Sequence, residues 1–180
     1  MQRYILTGTP GAGKTAVLRW LESDGDTVIE EAATDVIALE QARGNPEPWT
    51  DASFPDAVCA LQRRRQINAS RLADTVQFYD RSPVCTHALA TYLGHPVPPA
   101  LERELDRIAS GRVYERRVLF VQNQGFTAPT EARRITHDEA LRFEKLHLET
   151  YRGLGYDCVP IPPGTLSERV DAVRRAVIRP

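Results

Sequence analysis

A chain of 180 residues with 42% hydrophobic and 26% charged residues is long enough to bury a core without disulfides or structural metal. Its formal net charge of −1 offers little to a polyanionic partner, which argues against nucleic acid or a membrane surface as its target. No apolar run approaches the ~18 residues of a membrane span, and an apolar strand at the very start leaves no room for a signal peptide. The cysteines Cys59, Cys85 and Cys158 are widely spaced without a CxxC pair, and read as reduced, mostly buried thiols of a cytoplasmic protein.

In chain order, Arg3 to Thr7 is a short apolar run that stops at Gly8, the pattern of a buried strand feeding a glycine loop. Lys14 to about Asp24 predicts a helix with Val17 and Leu21 on one face and Gly25 beyond its end. Thr27 to Glu30 is a second strand, followed by a helix from about Glu31 to Arg43 that Gly44, Pro46 and Pro48 stop. After a loop over Asn45 to Ser53, Phe54 to about Arg71 is helical, with Val58, Leu61 and Ile67 as the inward positions. Thr75 to Tyr79 is a third strand ending at Asp80, and Ser82-Pro83 starts a helix that Gly94 closes.

Beyond a proline-rich turn, Leu101, Leu105 and Ile108 mark the inner face of a helix ended by Gly111. Val118 to Val121 is a fourth strand, followed by a polar loop from Gln122 to about Arg134. Thr136 to Glu139 forms a capping box for a helix reaching about Arg152. A fifth strand, Cys158 to Ile161, leads to a second capping box at Thr165 to Glu168 and a final helix lined by Val170, Val173 and Val177. Short apolar strands without polar alternation, alternating with helices, predict an α/β domain over residues 1–180 with a mainly parallel sheet covered on both faces.

The chemistry begins at Gly8-Thr9-Pro10-Gly11-Ala12-Gly13-Lys14-Thr15, a GxxxxGK[ST] loop between a strand and a helix. Its glycines let backbone N–H groups curl around phosphates, Lys14 reaches the outer phosphates, and the Thr15 hydroxyl can ligate Mg²⁺. Asp80-Arg81-Ser82 ends the third strand, where P-loop proteins place the carboxylate that holds Mg²⁺ or its water; a helix-start acid beside a surface arginine is the plainer alternative. Glu30-Glu31 ends the second strand on the same sheet edge. One of the two is a candidate base for an acceptor hydroxyl, Glu31 ahead by a small margin, and a dipole-stabilising helix acid is the equal alternative. Arg133 and Arg134 lie in the loop after the fourth strand, as charge for a migrating phosphoryl group or as a solvated surface pair. Arg63-Arg64-Arg65 point around their helix, so that at least one can face the site. The histidines His87, His95, His137 and His147 are scattered without metal-site spacing and read as non-catalytic.

The segments GTPGAGKT, IEEAATDVI, FYDRS and RGLGYDCVPIP, with an arginine-bearing lid between the last two, resemble the small P-loop ATPases and kinases grouped as AAA-domain type 28 proteins. That group is similar to nucleoside and nucleoside-monophosphate kinases, thymidylate kinase and the ribosylnicotinamide kinase domain among them. The resemblance implies a three-layer P-loop NTPase fold with a five-stranded parallel sheet in the order 2-3-1-4-5 and a lid over about 123–134. It implies that Asp80 is the magnesium-side acid, Arg81 a phosphate-binding arginine, Glu31 the base and Gln62 a substrate contact. No base-recognition signature is present and the lid lacks a dense arginine repeat, so the acceptor stays open between nucleoside-like and other small metabolites.

The expected function is a Mg²⁺-dependent ATP phosphotransferase that takes a nucleotide and a small-molecule acceptor, with ATP against GTP undecided and a homodimer left open. The rival is a regulatory ATPase or nucleotide-dependent binding module working with a protein partner. A GTPase base motif such as NKxD is absent from the sequence, and so are helicase motifs, which sets a nucleic-acid-acting ATPase third.

Overall fold

The computed structural model describes residues 1–8, 11–72, 74–123 and 137–177. Five strands form one sheet: β1 (Gln2–Thr7), β2 (Thr27–Ile29), β3 (Val76–Asp80), β4 (Arg117–Val121) and β5 (Asp157–Ile161). The order is β2-β3-β1-β4-β5 with every pairing parallel. Seven helices are described: α1 (Lys14–Ser23), α2 (Ala32–Ala42), α3 (Phe54–Ala69), α4 (Pro83–Leu93), α5 (Pro99–Ser110), α6 (His137–Gly153) and α7 (Leu166–Ala176).

Successive strand residues point to opposite faces, and here both faces are buried, which is why the strands lack polar alternation. Tyr4 and Leu6 of β1 join Leu21 of α1 and Val170 and Val173 of α7 in one cluster. Ile5, between them, joins Val84 of α4, Ile108 of α5 and Tyr151 of α6 in a second cluster on the other face. A third cluster, Ala32, Val36, Phe54 and Val58, seals α2 against α3.

Caps set where the helices begin and stop. Ser82 Oγ accepts from Val84 N at the start of α4, and Gly94 closes that helix at φ 73°, a left-handed conformation that glycine adopts without a Cβ clash. The Thr165–Glu168 capping box of α7 is present in both directions. The box expected at Thr136 lies outside the described residues. One packing expectation is corrected: Ile67 is 42% exposed, because α3 turns that side to solvent and buries Val58, Gln62, Gln66 and Ala69 instead.

Register places the site. Leu6 pairs with Asp80 and Thr7 with Phe120, so the end of β1 lies between the ends of β3 and β4. The chain runs from β1 to strands on both sides of it, and ligands of open α/β sheets bind at the carboxyl ends of strands where such connections diverge.

Candidate phosphate and acceptor site

At the end of β1 the backbone turns through left-handed glycines: Gly8, Gly11 and Gly13 have φ of 131°, 82° and 79°. A Cβ on Gly8 would collide with the Val121 carbonyl of β4, so only glycine fits that approach. Gly13 caps α1 without a side chain, and the first turn of α1 carries no acid. Its N–H groups and positive dipole end therefore suit an anion from outside the helix. Lys14 is buried and its Nζ donates to Gly8 O at 3.3 Å, which folds the ammonium back over the loop, while Thr15 on the same turn is exposed. Thr9 and Pro10 lie outside the described residues.

Asp80 is buried at the last position of β3, and the next residue breaks the ordinary backbone rules. Arg81 has φ 72°, a left-handed conformation rare for a side-chain-bearing residue, held by its N–H donating to Leu6 O at 3.0 Å. That turn sends the guanidinium inward at 9% exposure, where Nε donates to Glu31 Oε1 at 2.6 Å. Burial opposes the Arg81 charge most strongly, but attraction from Glu31, Cys85 and Asp80 outweighs it and the net pKa is raised.

Glu31 and Glu30 separate clearly. Glu30 is exposed and pairs with Arg19 of α1 at 2.5 Å on the surface. Glu31 is the N-cap of α2, and besides Arg81 it accepts from the Thr34 hydroxyl at 2.7 Å through Oε2. Arg65 secures this segment from α3, donating through Nη1 to the carbonyls of Glu30 at 3.0 Å and Glu31 at 2.8 Å and through Nη2 to Asp35. Arg65 is thus the member of the arginine run that supports the site, whereas Arg63 approaches Glu104 and Arg64 is exposed. Arg133 and Arg134, and the expected lid beyond residue 123, lie outside the described residues.

The sequence reads His147 as non-catalytic, and the structure places it against Arg81. Its Nδ1 lies 2.9 Å from Phe143 O and its Nε2 3.4 Å from Arg81 Nη1. A carbonyl only accepts, so Nδ1 carries the proton and Nε2 is left to accept from Arg81. Burial above all, then the Arg81 charge, pushes the imidazole pKa down to about 3, which keeps the ring neutral. One turn along, the Tyr151 hydroxyl meets Ser82 Oγ at 2.7 Å and Cys85 Sγ at 3.0 Å, and Cys85 Sγ lies 3.2 Å from Thr7 Oγ1 just before the glycine loop. The available signal was the spacing Phe143, His147, Tyr151: three residues on one helical stripe, with a polar ring at its centre.

The far wall comes from α3 and α4. Gln62 is buried and its Oε1 accepts from Thr86 Oγ1 at 2.8 Å. Tyr92 packs on Phe143 at a tilt of 50° with centroids 4.6 Å apart, and Phe143 meets His147 edge-on at 4.2 Å. Aromatic contacts therefore run from Tyr92, 36% exposed, through Phe143 to the imidazole that touches Arg81.

The family model of the AAA domain of type 28 matches residues 3–169. The chain belongs to that family. No curated protein matches it in sequence. Among solved structures, this AAA-domain protein is similar to deoxyadenosine kinase from M. mycoides with the products dCMP and dCDP bound, at TM-score 0.64 and 13% identity, with 97% of each chain covered. The same kinase with dATP bound superposes at TM-score 0.61 and 12% identity, with 97% of this chain and 98% of that chain covered. NadR protein in complex with NAD and AMP-PNP gives TM-score 0.63 at 16% identity, with 97% of this chain covering 49% of that one. At such identities the likeness establishes a shared P-loop kinase-like fold. No helix among the described residues is long and apolar enough to cross a membrane. Among those residues there is also no cluster of three or more His, Cys, Asp or Glu side chains suited to a metal. One strand-end acid and one hydroxyl match what Mg²⁺ needs from a protein when phosphates and waters fill its other positions.

Proposed function

We propose that this AAA-domain protein is a Mg²⁺-dependent kinase that moves the γ-phosphoryl group of ATP to a hydroxyl or phosphate of a small, nucleoside-like or other ring-bearing metabolite. The observation that carries the reading is the largely buried Arg81–Glu31 pair at 2.6 Å, set beside Asp80 at the edge of the sheet that bears the glycine loop. A loop that only grips and hydrolyses nucleotide has no need of a carboxylate held by an arginine on the acceptor side.

In this reading Lys14 and the loop amides hold the phosphates, and Thr15 and Asp80 hold the Mg²⁺, which supplies charge neutralisation on the phosphate oxygens. Glu31 takes the proton of the acceptor hydroxyl as that oxygen bonds to the γ-phosphorus and the bond to the ADP oxygen breaks. Protonation of Glu31 removes the negative partner of Arg81, so the guanidinium charge is released toward the phosphoryl group as it migrates. Arg81 Nη2 has no hydrogen-bond partner among the described residues, which leaves that edge for the substrate. Arg133 and Arg134 would close over the transferring group from the lid. For a phosphate acceptor no base is required, and Arg81 would then bind the acceptor directly. Gln62 and the Tyr92–Phe143 wall would receive the acceptor ring.

The test is ADP release from ATP in the presence of a panel of nucleosides, nucleoside monophosphates and other small hydroxylated metabolites. The reading requires at least one acceptor to raise release well above the acceptor-free rate. Slow hydrolysis that no acceptor accelerates would instead favour a regulatory ATPase.

A further inference from the structure

Beside the glycine loop, on the side of α7, stands an arginine that the proposed reaction does not use. Arg169 is 3% exposed, one turn into α7. Its Nη2 donates to the carbonyl oxygen of Ala12 in the loop. Its Nη1 lies 2.6 Å from the position a Cβ on Gly13 would take, so the guanidinium occupies the space that this glycine leaves. Its buried Nε has no hydrogen-bond partner, and no carboxylate pairs with it among the described residues.

The electrostatics of this position are hostile. Arg169 sits in the first turns of α7 and against the start of α1, two helix ends that both carry partial positive charge. Lys14, the next buried cation, begins α1. A buried charge without a counter-ion is costly, and burial lowers the Arg169 pKa. The arrangement makes sense if the counter-charge arrives from outside and binds at the loop. The hydrogen bond also sets the loop's shape. In a trans peptide the C=O and the following N–H point in opposite directions. Tying Ala12 O toward α7 therefore turns the Gly13 N–H away from α7, toward the inside of the loop.

We infer that Arg169 is a positioning residue for the nucleotide phosphates, holding the Ala12–Gly13 peptide with its donor facing the phosphates and supplying, from behind the loop, a positive charge that the bound polyphosphate neutralises. The inference rests on phosphate binding at the glycine loop, which the proposed kinase also needs, but it requires no phosphoryl transfer.

The experiment measures dissociation constants for ATP, inorganic tripolyphosphate and adenosine, together with the ligand-free unfolding midpoint, in the wild-type chain, Arg169→Gln, Arg169→Lys and Lys14→Ala. Gln keeps a donor for Ala12 without the charge, and Lys keeps the charge without the planar fork. Arg169→Gln should weaken ATP and tripolyphosphate by about tenfold, leave adenosine within about twofold, and unfold at the same or a higher midpoint without ligand. Arg169→Lys should bind ATP within about threefold of wild type. Arg169→Gln binding tripolyphosphate as tightly as wild type, while Lys14→Ala does not, overturns this inference alone. Arg169→Lys as weak as Arg169→Gln overturns it, as does an Arg169→Gln chain that fails to fold. Absence of any ATP or tripolyphosphate binding by the wild-type chain overturns the loop assignment with it.

Discussion

Arg81 Nε donates to Glu31 Oε1 across 2.6 Å, joining residues fifty positions apart that each stand just past the end of a neighbouring strand. The two side chains are 9% and 15% exposed, so the pair is desolvated enough for each charge to depend on the other. Removing one partner strands the other. Arg81→Met and Glu31→Gln should each destabilise the fold by ~2–4 kcal/mol, and the double variant by less than the sum of the two. Denaturant titrations of the four proteins in this cycle measure the coupling; strictly additive losses would show that the pair is incidental. In the kinase assay, Glu31→Gln should also cut kcat with a hydroxyl acceptor by about a hundredfold or more.

In the proposed reaction Lys14 and Asp80 serve the donor side. Lys14→Ala should abolish measurable ATP binding while circular dichroism remains that of the parent, the substitution falling at the first position of α1, where alanine is a good helix former. Asp80→Asn should raise the Mg²⁺ concentration for half-maximal activity by about tenfold or more with a smaller effect on metal-free ATP affinity. Equal magnesium curves for Asp80→Asn and the parent would remove Asp80 from the metal site.

Gln62 is the proposed acceptor contact, buried and held by Thr86 at 2.8 Å. Gln62→Ala should raise the acceptor KM by about tenfold while the KM for ATP moves less than about twofold, the signature of a contact made only to the acceptor. Steady-state kinetics with each substrate varied in turn separate the two.

His147 predicts a pH dependence of stability. Its folded pKa of about 3 lies below the ordinary histidine value, so the unfolded chain binds the proton first as pH falls. The stability from a neutral His147 is therefore complete above about pH 6.5 and is lost progressively as pH drops toward 3. Between pH 7.5 and 5.0 the loss should be about 2 kcal/mol, and His147→Gln should flatten that part of the curve. Urea midpoints at the two pH values for both proteins provide the measurement.

Gly13 combines a left-handed φ of 79° with the Arg169 guanidinium where its Cβ would lie. Gly13→Ala should cost ~2 kcal/mol or more and weaken ATP, because the loop must shift to admit one methyl group. Gly25, also left-handed but with open space around it, is the control: Gly25→Ala should cost only ~1 kcal/mol and leave ATP binding alone.

The layered fold was legible because its signals are local. Apolar runs of strand length, helical stripes such as Val170, Val173 and Val177, and punctuation by Ser82-Pro83, Gly94 and Thr165 each act within a few residues. The glycine loop was legible for the same reason, since left-handed turns and a helix-start lysine need that spacing. Ile67 was misplaced because several stripes around the polar helix α3 compete, and only contact with α2, α4 and α5 selects the one that is buried.

What the sequence by itself determined is the glycine loop: a strand, left-handed glycines and a lysine, all contiguous, so that short-range geometry suffices. The surroundings of that loop were decided by tertiary structure. A one-residue step at the start of α2 aims the Glu31 carboxylate at Arg81 and that of Glu30 at the surface Arg19. The placements of His147, beside Arg81, and Arg169, beside Ala12 of the loop, arise from contacts 66 and 157 residues apart in sequence. Long-range pairings of this kind depend on how helices pack onto the sheet, and no local pattern in the chain encodes them.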